Sequence, residues 1–302
     1  MIACTPHPGL GTVRLERPAI VRVIDLATCR ERTFRRRALK PSPALTSPDG
    51  RWRAMVRIAQ GTQTLQVVRR GYPPVFLLTL PAWSLGKKNG SPGPIMLEGW
   101  TGDSRWVMFA IDPYNSASLV ADGIRLEAVA LGAGGRVRVA TMVGYHDYRA
   151  WCGGRLVLVA GYDRIATHNK RLVVTGPPAW RARPLIRAPG RAFGSLACAP
   201  DGRSVVVQSQ RDSANGSFFA TRWQLWRVGL DGRAVRLTKP PSGYADESPR
   251  ISADGTIYFV RSKVGKGKLF ALRNGKLVGP LLSLGYRLGY YGHQDWGYTV
   301  TR

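Results

Sequence analysis

Acidic side chains are scarce in this chain. Asp and Glu number 18 against 45 Lys and Arg, a formal net charge of +27. Such a surface attracts anions: nucleic acid, anionic lipid or acidic glycan. Arg outnumbers Lys 36 to 9 and is dispersed along the whole sequence, so composition alone also fits a generally Arg-rich proteome. Long apolar runs are missing too, and none approaches the about 18 residues of a membrane-spanning helix. The opening Met1-Ile2-Ala3-Cys4-Thr5-Pro6-His7-Pro8 has neither a basic n-region nor an apolar h-region, so no signal peptide is read there. Histidines number four and are scattered, which gives no zinc-ligand spacing. There is no Gly-x-Ser-x-Gly elbow and no Walker-type loop. Gly132-Ala133-Gly134-Gly135 reads as a turn between strands, because no helix follows to receive a phosphate. Four cysteines are too few for a disulfide scaffold at 302 residues. Cys152 and Cys198 fall near the ends of equivalent strands, which would allow a bridge, but two buried free thiols are the expectation.

Glycine and proline are plentiful, 35 and 21, and they punctuate a repeat. A small residue or Pro followed by Asp-Gly or a near relative leads into alternating apolar residues five times. The phrase reads Ser47-Pro48-Asp49-Gly50, Thr101-Gly102-Asp103-Ser104, Cys152-Gly153-Gly154, Ala199-Pro200-Asp201-Gly202 and Ser252-Ala253-Asp254-Gly255. Steps between positions 49, 103, 153, 201 and 254 are 54, 50, 48 and 53 residues. In a sequence that otherwise reads as strand, that period is the mark of a β-propeller. Single blades cannot bury both faces, so they must close into one ring and one domain. The best-preserved unit runs from the inner strand around 243–252 through the Asp254-Gly255 turn to strands at 257–260 and 268–272. It then passes the Asn274-Gly275 hairpin to an outer strand.

The same grammar gives blades at about 44–80, 95–143, 148–187, 193–238 and 242–285. Residues 19–26 and 30–37 read as the third and fourth strands of a further blade, and 290–296 with 297–301 as its first and second. The expectation is therefore an all-β, six-bladed propeller of four-stranded antiparallel blades. Its split blade, 19–37 plus 286–302, closes the ring. The basic cluster 30–37 would lie on an outermost strand, where charge discourages edge pairing.

The segments GYADESPRISADGTIYFVRS (243–262), CAPDGRSVVVQ (198–208), LTSPDGRWRAMV (45–56) and VIDLATCRERTF (23–34) resemble the TolB-like, WD-repeat-like propeller repeats of bacteria. In those repeats a Ser-Pro-Asp-Gly turn joins the inner two strands, and an Asp-Leu-x-Thr-Gly type turn joins the outer two. The resemblance covers nearly the whole chain and implies architecture far more than activity. No segment matches the separate α/β domain of the Tol protein, so a role in the Tol system is not implied. The resemblance implies an extracytoplasmic location, which the opening residues do not support; a start further upstream would reconcile the two. With no hydrolase domain after residue 302, a peptidase gated by its propeller is not expected.

Ligand sites in propellers gather where inner strands line the channel. Counting back from the turn aspartates places His146 and Asp147 in the third blade, Asp246 and Glu247 in the fifth, and Glu98 slightly deeper in the second. His293 and Asp295 belong to the C-terminal inner strand. Such a His and carboxylate rim could hold a divalent cation or act in general acid/base chemistry, although polar rims are expected on any propeller. Asp49, Asp103, Asp201 and Asp254 are read as structural turn residues. Trp52 and Trp106 read as packing between blades, and Trp100 and Trp151 as half exposed. The favoured function is a monomeric, cofactor-free scaffold recognising a protein or an anionic polymer (cell-envelope glycan or nucleic acid) through one face. The alternative is a carbohydrate-active enzyme using the rim, which requires His146, Asp246, Glu247 and His293 to share one cavity. A weaker third is an accessory module of an envelope complex.

Overall fold

The computed structural model describes residues 3–17, 19–35, 44–82, 93–112, 123–132, 135–214, 222–287 and 291–301. Among these, strands account for nearly all regular structure, and the sole helical segment is one 3-10 turn, His146–Tyr148. Arg36, Arg37, Tyr290 and the Ala133-Gly134 part of the glycine-rich turn lie outside the described residues.

The strands form four-stranded antiparallel meanders. One contains Ala44–Thr46, Arg53–Ala59, Thr62–Val68 and Val75–Pro81. A second contains Arg191–Cys198, Ser204–Arg211, Gln224–Gly229 and Ala234–Arg236. A third contains Ala245–Ile251, Ile257–Lys263, Lys266–Arg273 and Lys276–Tyr286. An eight-stranded sheet holds two more sets of four, running from Ile95–Trp100 to Arg136–Met142 and from Arg149–Cys152 to Arg183–Pro184. Those two sets meet in a single pairing, Met142 with Ala160.

Strand alternation explains how the sheets stack. Val205 and Val207 pack with Val157, Val159 and Val174 of the preceding set, whereas Val206 and Leu225 pack with Ile257 and Phe259 of the next. Tyr258 and Val260, facing the other way, pack with Val13, Leu15 and Ile24. Successive side chains of one strand thus bury against two different neighbours. That is why the second strands read as near-continuous apolar runs. Each fully buried Val, Leu or Phe contributes roughly 1.5–3 kcal/mol.

The sheet made from both chain ends differs from the expected two-plus-two division. Tyr298–Thr301 is the innermost strand; it pairs with Thr12–Glu16, which continues to Ile20–Asp25 and Glu31–Arg35. The third and fourth strands lie as expected, but the second comes from the N-terminus. Thr12–Glu16 buries Val13 and Leu15 on one face. Residues 291–297 do not form a strand, because Tyr291, Gly292 and Gly297 all adopt positive φ (48°, 85° and 55°) and fold the segment inward.

All four cysteines are paired, Cys4 with Cys29 and Cys152 with Cys198, so the expectation of free thiols is corrected. The reason is geometric: the ends of adjacent inner strands converge to a Cα separation of 5.4 Å at Cys152 and Cys198. Cys4 lies beside Leu282 on the outer edge of Lys276–Tyr286, with Thr5 N–H donating to Leu281 O at 3.0 Å. Its bridge therefore ties that edge to the turn before Glu31–Arg35. Trp100 is buried rather than half exposed, since its Nε1 donates to Leu45 O (2.9 Å) across to the preceding sheet. Trp151 is half-buried, and Trp106 packs edge-on against Trp180 with centroids 5.6 Å apart.

The repeated turns share one hydrogen-bond pattern. Asp49, Asp103, Asp201 and Asp254 each accept from the backbone N–H two residues on, at 2.9–3.1 Å. Gly202 and Gly255 follow with φ of 67° and 82°, where a side chain would be strained. Ser104 occupies the same conformation without being glycine (φ 58°), and its Oγ accepts from Asp49 N–H of the neighbouring turn at 3.1 Å.

Candidate functional site at the mouth of the inner strands

Three inner strands carry a bulge at corresponding places. The register shifts between Leu97 and Gly99, between Phe193 and Leu196, and between Glu247 and Arg250. The extra residues of a bulge leave the ladder and are re-aimed. Glu98, Ser195 and Ser248 are such residues, and each reaches a neighbouring element. Glu98 accepts from Arg149 Nη2 through Oε2 (2.5 Å) and through its carbonyl (3.1 Å). Ser195 Oγ donates to Asp147 Oδ2 at 2.7 Å. Ser248 Oγ donates to Gln294 O at 3.3 Å, and its N–H donates to Gln208 Oε1 at 2.9 Å.

These contacts draw two loops, 143–148 and 291–296, into the space between the inner strands. There His293 Nε2 donates to Asp147 Oδ1 at 2.9 Å. Tyr145 stacks on the imidazole with centroids 3.8 Å apart, and Tyr148 meets it edge-on at 5.3 Å. Both partners are 6% exposed. Burial pushes the Asp147 carboxyl upward. The His293 imidazole, the Arg250 charge and the Ser195 hydroxyl outweigh that and hold it well below the usual carboxylate range. Asp147 is therefore an acceptor, and His293 carries its proton on Nε2. Ser195 bonds to the carboxylate and not to the imidazole, so the trio lacks the nucleophile-to-base hydrogen bond of a hydrolytic triad.

In front of this pair lies a cavity of about 550 Å³. Its wall carries Arg17, Arg149, Arg250 and Arg287, with Glu16, His146, Asp147 and Asp295. Arg149 is paired with Glu98 and Arg17 is turned toward the carbonyls of Trp296 and Leu284 (both 3.4 Å). Arg250 lies over the Tyr298 ring at 5.5 Å and makes no ion pair among the described residues. The lining carries four arginines against the three carboxylates of Glu16, Asp147 and Asp295, an excess of one positive charge, with Arg250 and Arg287 outside any ion pair among the described residues.

The seven residues singled out in the sequence are divided by this geometry. His146, Asp147 and Asp295 line the cavity, His293 backs Asp147, and Glu98 acts through Arg149. Asp246 and Glu247 do not line it. Asp246 is fully buried in a two-bond pair with Arg261 (2.7 and 2.9 Å). Glu247 accepts from Trp296 Nε1 at 3.1 Å, and burial pushes its carboxyl up to about 7. Of His146, Asp246, Glu247 and His293, His146 alone lines this cavity. The cavity arginines, Ser195 and Tyr145 escaped the sequence reading; among 36 arginines, nothing local marks four that converge. Among the described residues no three His, Cys, Asp or Glu side chains converge in a group able to hold a metal ion.

No family model matches the chain, and no curated protein does. Solved structures match in fold. An oligogalacturonate lyase in complex with manganese superposes with a TM-score of 0.50 at 14% identity, covering 96% of this chain and 85% of that one. The fold is a β-propeller. A prolyl endopeptidase structure also reaches 0.50 at 14% identity, over 86% of this chain but 36% of its own. TolB from Acinetobacter baumannii aligns at 0.48 with 13% identity, over 98% of this chain and 69% of that one. At such identities the likeness is one of propeller architecture alone. Among the described residues no helix is long and apolar enough to cross a membrane.

Proposed function

We propose that the chain is a six-bladed, monomeric propeller that binds an anionic polymer at its channel mouth without catalysing a reaction. Five consecutive meanders plus the sheet built from both ends support the blade count. The observation that carries the binding role is the 550 Å³ cavity walled by four arginines and three carboxylates, in which Arg250 and Arg287 have no ion pair among the described residues. Arg is suited to carboxylate, sulfate and phosphate because its planar fork donates two parallel hydrogen bonds. The +27 charge supplies long-range attraction. Pairing of all four cysteines supports an oxidising, extracytoplasmic setting. The proposed role needs no cofactor.

The test is binding of a heparin oligosaccharide, followed by fluorescence anisotropy between 50 and 200 mM salt. Engagement of about two anionic groups, by Arg250 and Arg287, predicts an affinity loss of roughly tenfold across that range. Arg250→Ser combined with Arg287→Ser should weaken binding at least about tenfold and reduce the salt slope by about two. Binding that ignores ionic strength, or that the double variant leaves intact, would overturn the proposal. The carbohydrate-active alternative keeps one specific observation, the buried Asp147–His293 pair beside exposed His146. Release of new chain ends from an acidic glycan, abolished by His146→Ala, would favour it.

A further inference from the structure

A second cavity, of about 630 Å³, lies away from the channel on the outer half of the 245–286 meander. It exists because two neighbouring sheets differ in width. The outer strand of the preceding sheet, Ala234–Arg236, has three residues, whereas Lys276–Tyr286 has eleven. The shared core of Val206, Leu225, Ile257 and Phe259 therefore ends before the longer hairpin does. One face of Ile257–Lys263, Lys266–Arg273 and Lys276–Tyr286 is left uncovered.

Strand alternation decides what that face presents. Lys266, Lys268 and Phe270 point the same way, and Lys263 sits opposite Lys266 in the register. Tyr244 and Phe270 form an aromatic floor, with Pro241 and Pro280 at its sides. Lys263 Nζ lies 5.4 Å from the Tyr244 ring centroid. Arg261 also borders the cavity, but Asp246 neutralises it. No carboxylate lines the cavity, and Lys263, Lys266 and Lys268 make no ion pair among the described residues. An apolar floor rimmed by three uncompensated cations matches one ligand chemistry, an apolar body ending in a single acidic group.

We propose that this cavity binds a monomeric anionic amphiphile, its chain or ring on Tyr244 and Phe270 and its acidic head among the three lysines. The site is independent of the channel mouth and stands whether or not that one binds a polymer. The test is titration of the full chain with 8-anilinonaphthalene-1-sulfonate, with laurate below its micelle concentration as competitor. One saturable site displaced by laurate is expected. Inorganic sulfate should not displace the dye, and uncharged N-phenyl-1-naphthylamine should bind at least about tenfold more weakly. Replacing the exposed Lys263, Lys266 and Lys268 together by serine should weaken binding at least about tenfold. Ser283→Trp, which fills the cavity from an exposed strand position, should abolish it. The channel variant Arg250→Ser/Arg287→Ser should retain dye affinity within about twofold. The inference is overturned if no saturable site exists, or if binding survives both the triple-lysine variant and Ser283→Trp. It is overturned equally if the channel variant alone removes it, a result that would leave the polymer-binding proposal standing.

Discussion

Replacing Cys152 and Cys198 together by serine should remove the staple between two adjacent inner strands. The bridge closes a loop of 46 residues. Restoring that loop's freedom to the unfolded chain costs about 4 kcal/mol of stability in the chain-entropy treatment. The folded state should lose little else. The carbonyl oxygens of Ser204 and Ala199 lie 3.2 Å from the two sulfurs, so each serine hydroxyl has an acceptor at hand. For a chain of 302 residues the loss corresponds to a melting temperature lower by about 6 °C. Scanning calorimetry and urea unfolding under non-reducing conditions would measure it, with Cys4–Cys29 left intact. A double variant within about 1 kcal/mol of the wild type would refute the reasoning. It would mean that the strand ends stay together in the unfolded chain, or that the bridge is strained enough to cancel its own constraint.

The turn ring offers a second test. Gly153→Ala places a Cβ 2.5 Å from Gly202 O at a φ of 56°, whereas Gly50→Ala meets open space at a φ of 71°. Urea midpoints should show a loss of about 1 kcal/mol for Gly50→Ala and clearly more for Gly153→Ala; equal losses would show that the turns do not touch. Glu247 offers a third. Its carboxyl ionises near 4.5 when unfolded and about 7 when folded. Its contribution is therefore fully present below about pH 4.5 and falls by about 3 kcal/mol as pH rises through 7. Glu247→Gln should remove that slope, so the variant gains on the wild type between pH 4 and 8; a pH-independent difference between the two would exclude it.

How much of this was readable in advance depends on the range of the interaction. The hairpins were legible because Asp254 and its equivalents bond two residues ahead. The strands were legible because alternation is written in neighbouring letters. Measuring back from each turn also singled out His146 and Asp147, which line the cavity. The same ruler treated Asp246 and Glu247 as their equivalents, yet neither lines the cavity. Ala245–Ile251 turns Asp246 onto Arg261 and Glu247 onto Trp296, so that carboxylates at matching offsets meet opposite environments. Half of the end-built sheet was misread for a related reason. Thr12–Glu16 is short and charged, and its two apolar residues count only once Tyr298–Thr301 and Ile20–Asp25 flank it.

Local chemistry, then, prescribed the repeat, the turn conformations, the all-β class and the strong positive charge, because each of these rests on residue types or on partners a few positions apart. The Asp147–His293 pair spans 146 residues, Cys152 reaches Cys198 across two sheets, and four arginines from separate elements meet around one cavity. The turn phrases beside Cys152 and Cys198 allow their bridge without requiring it, and nothing in the flanking residues announces the other meetings. They exist only because stacked sheets bring the inner strands side by side, and because three bulges aim Glu98, Ser195 and Ser248 into the space between them.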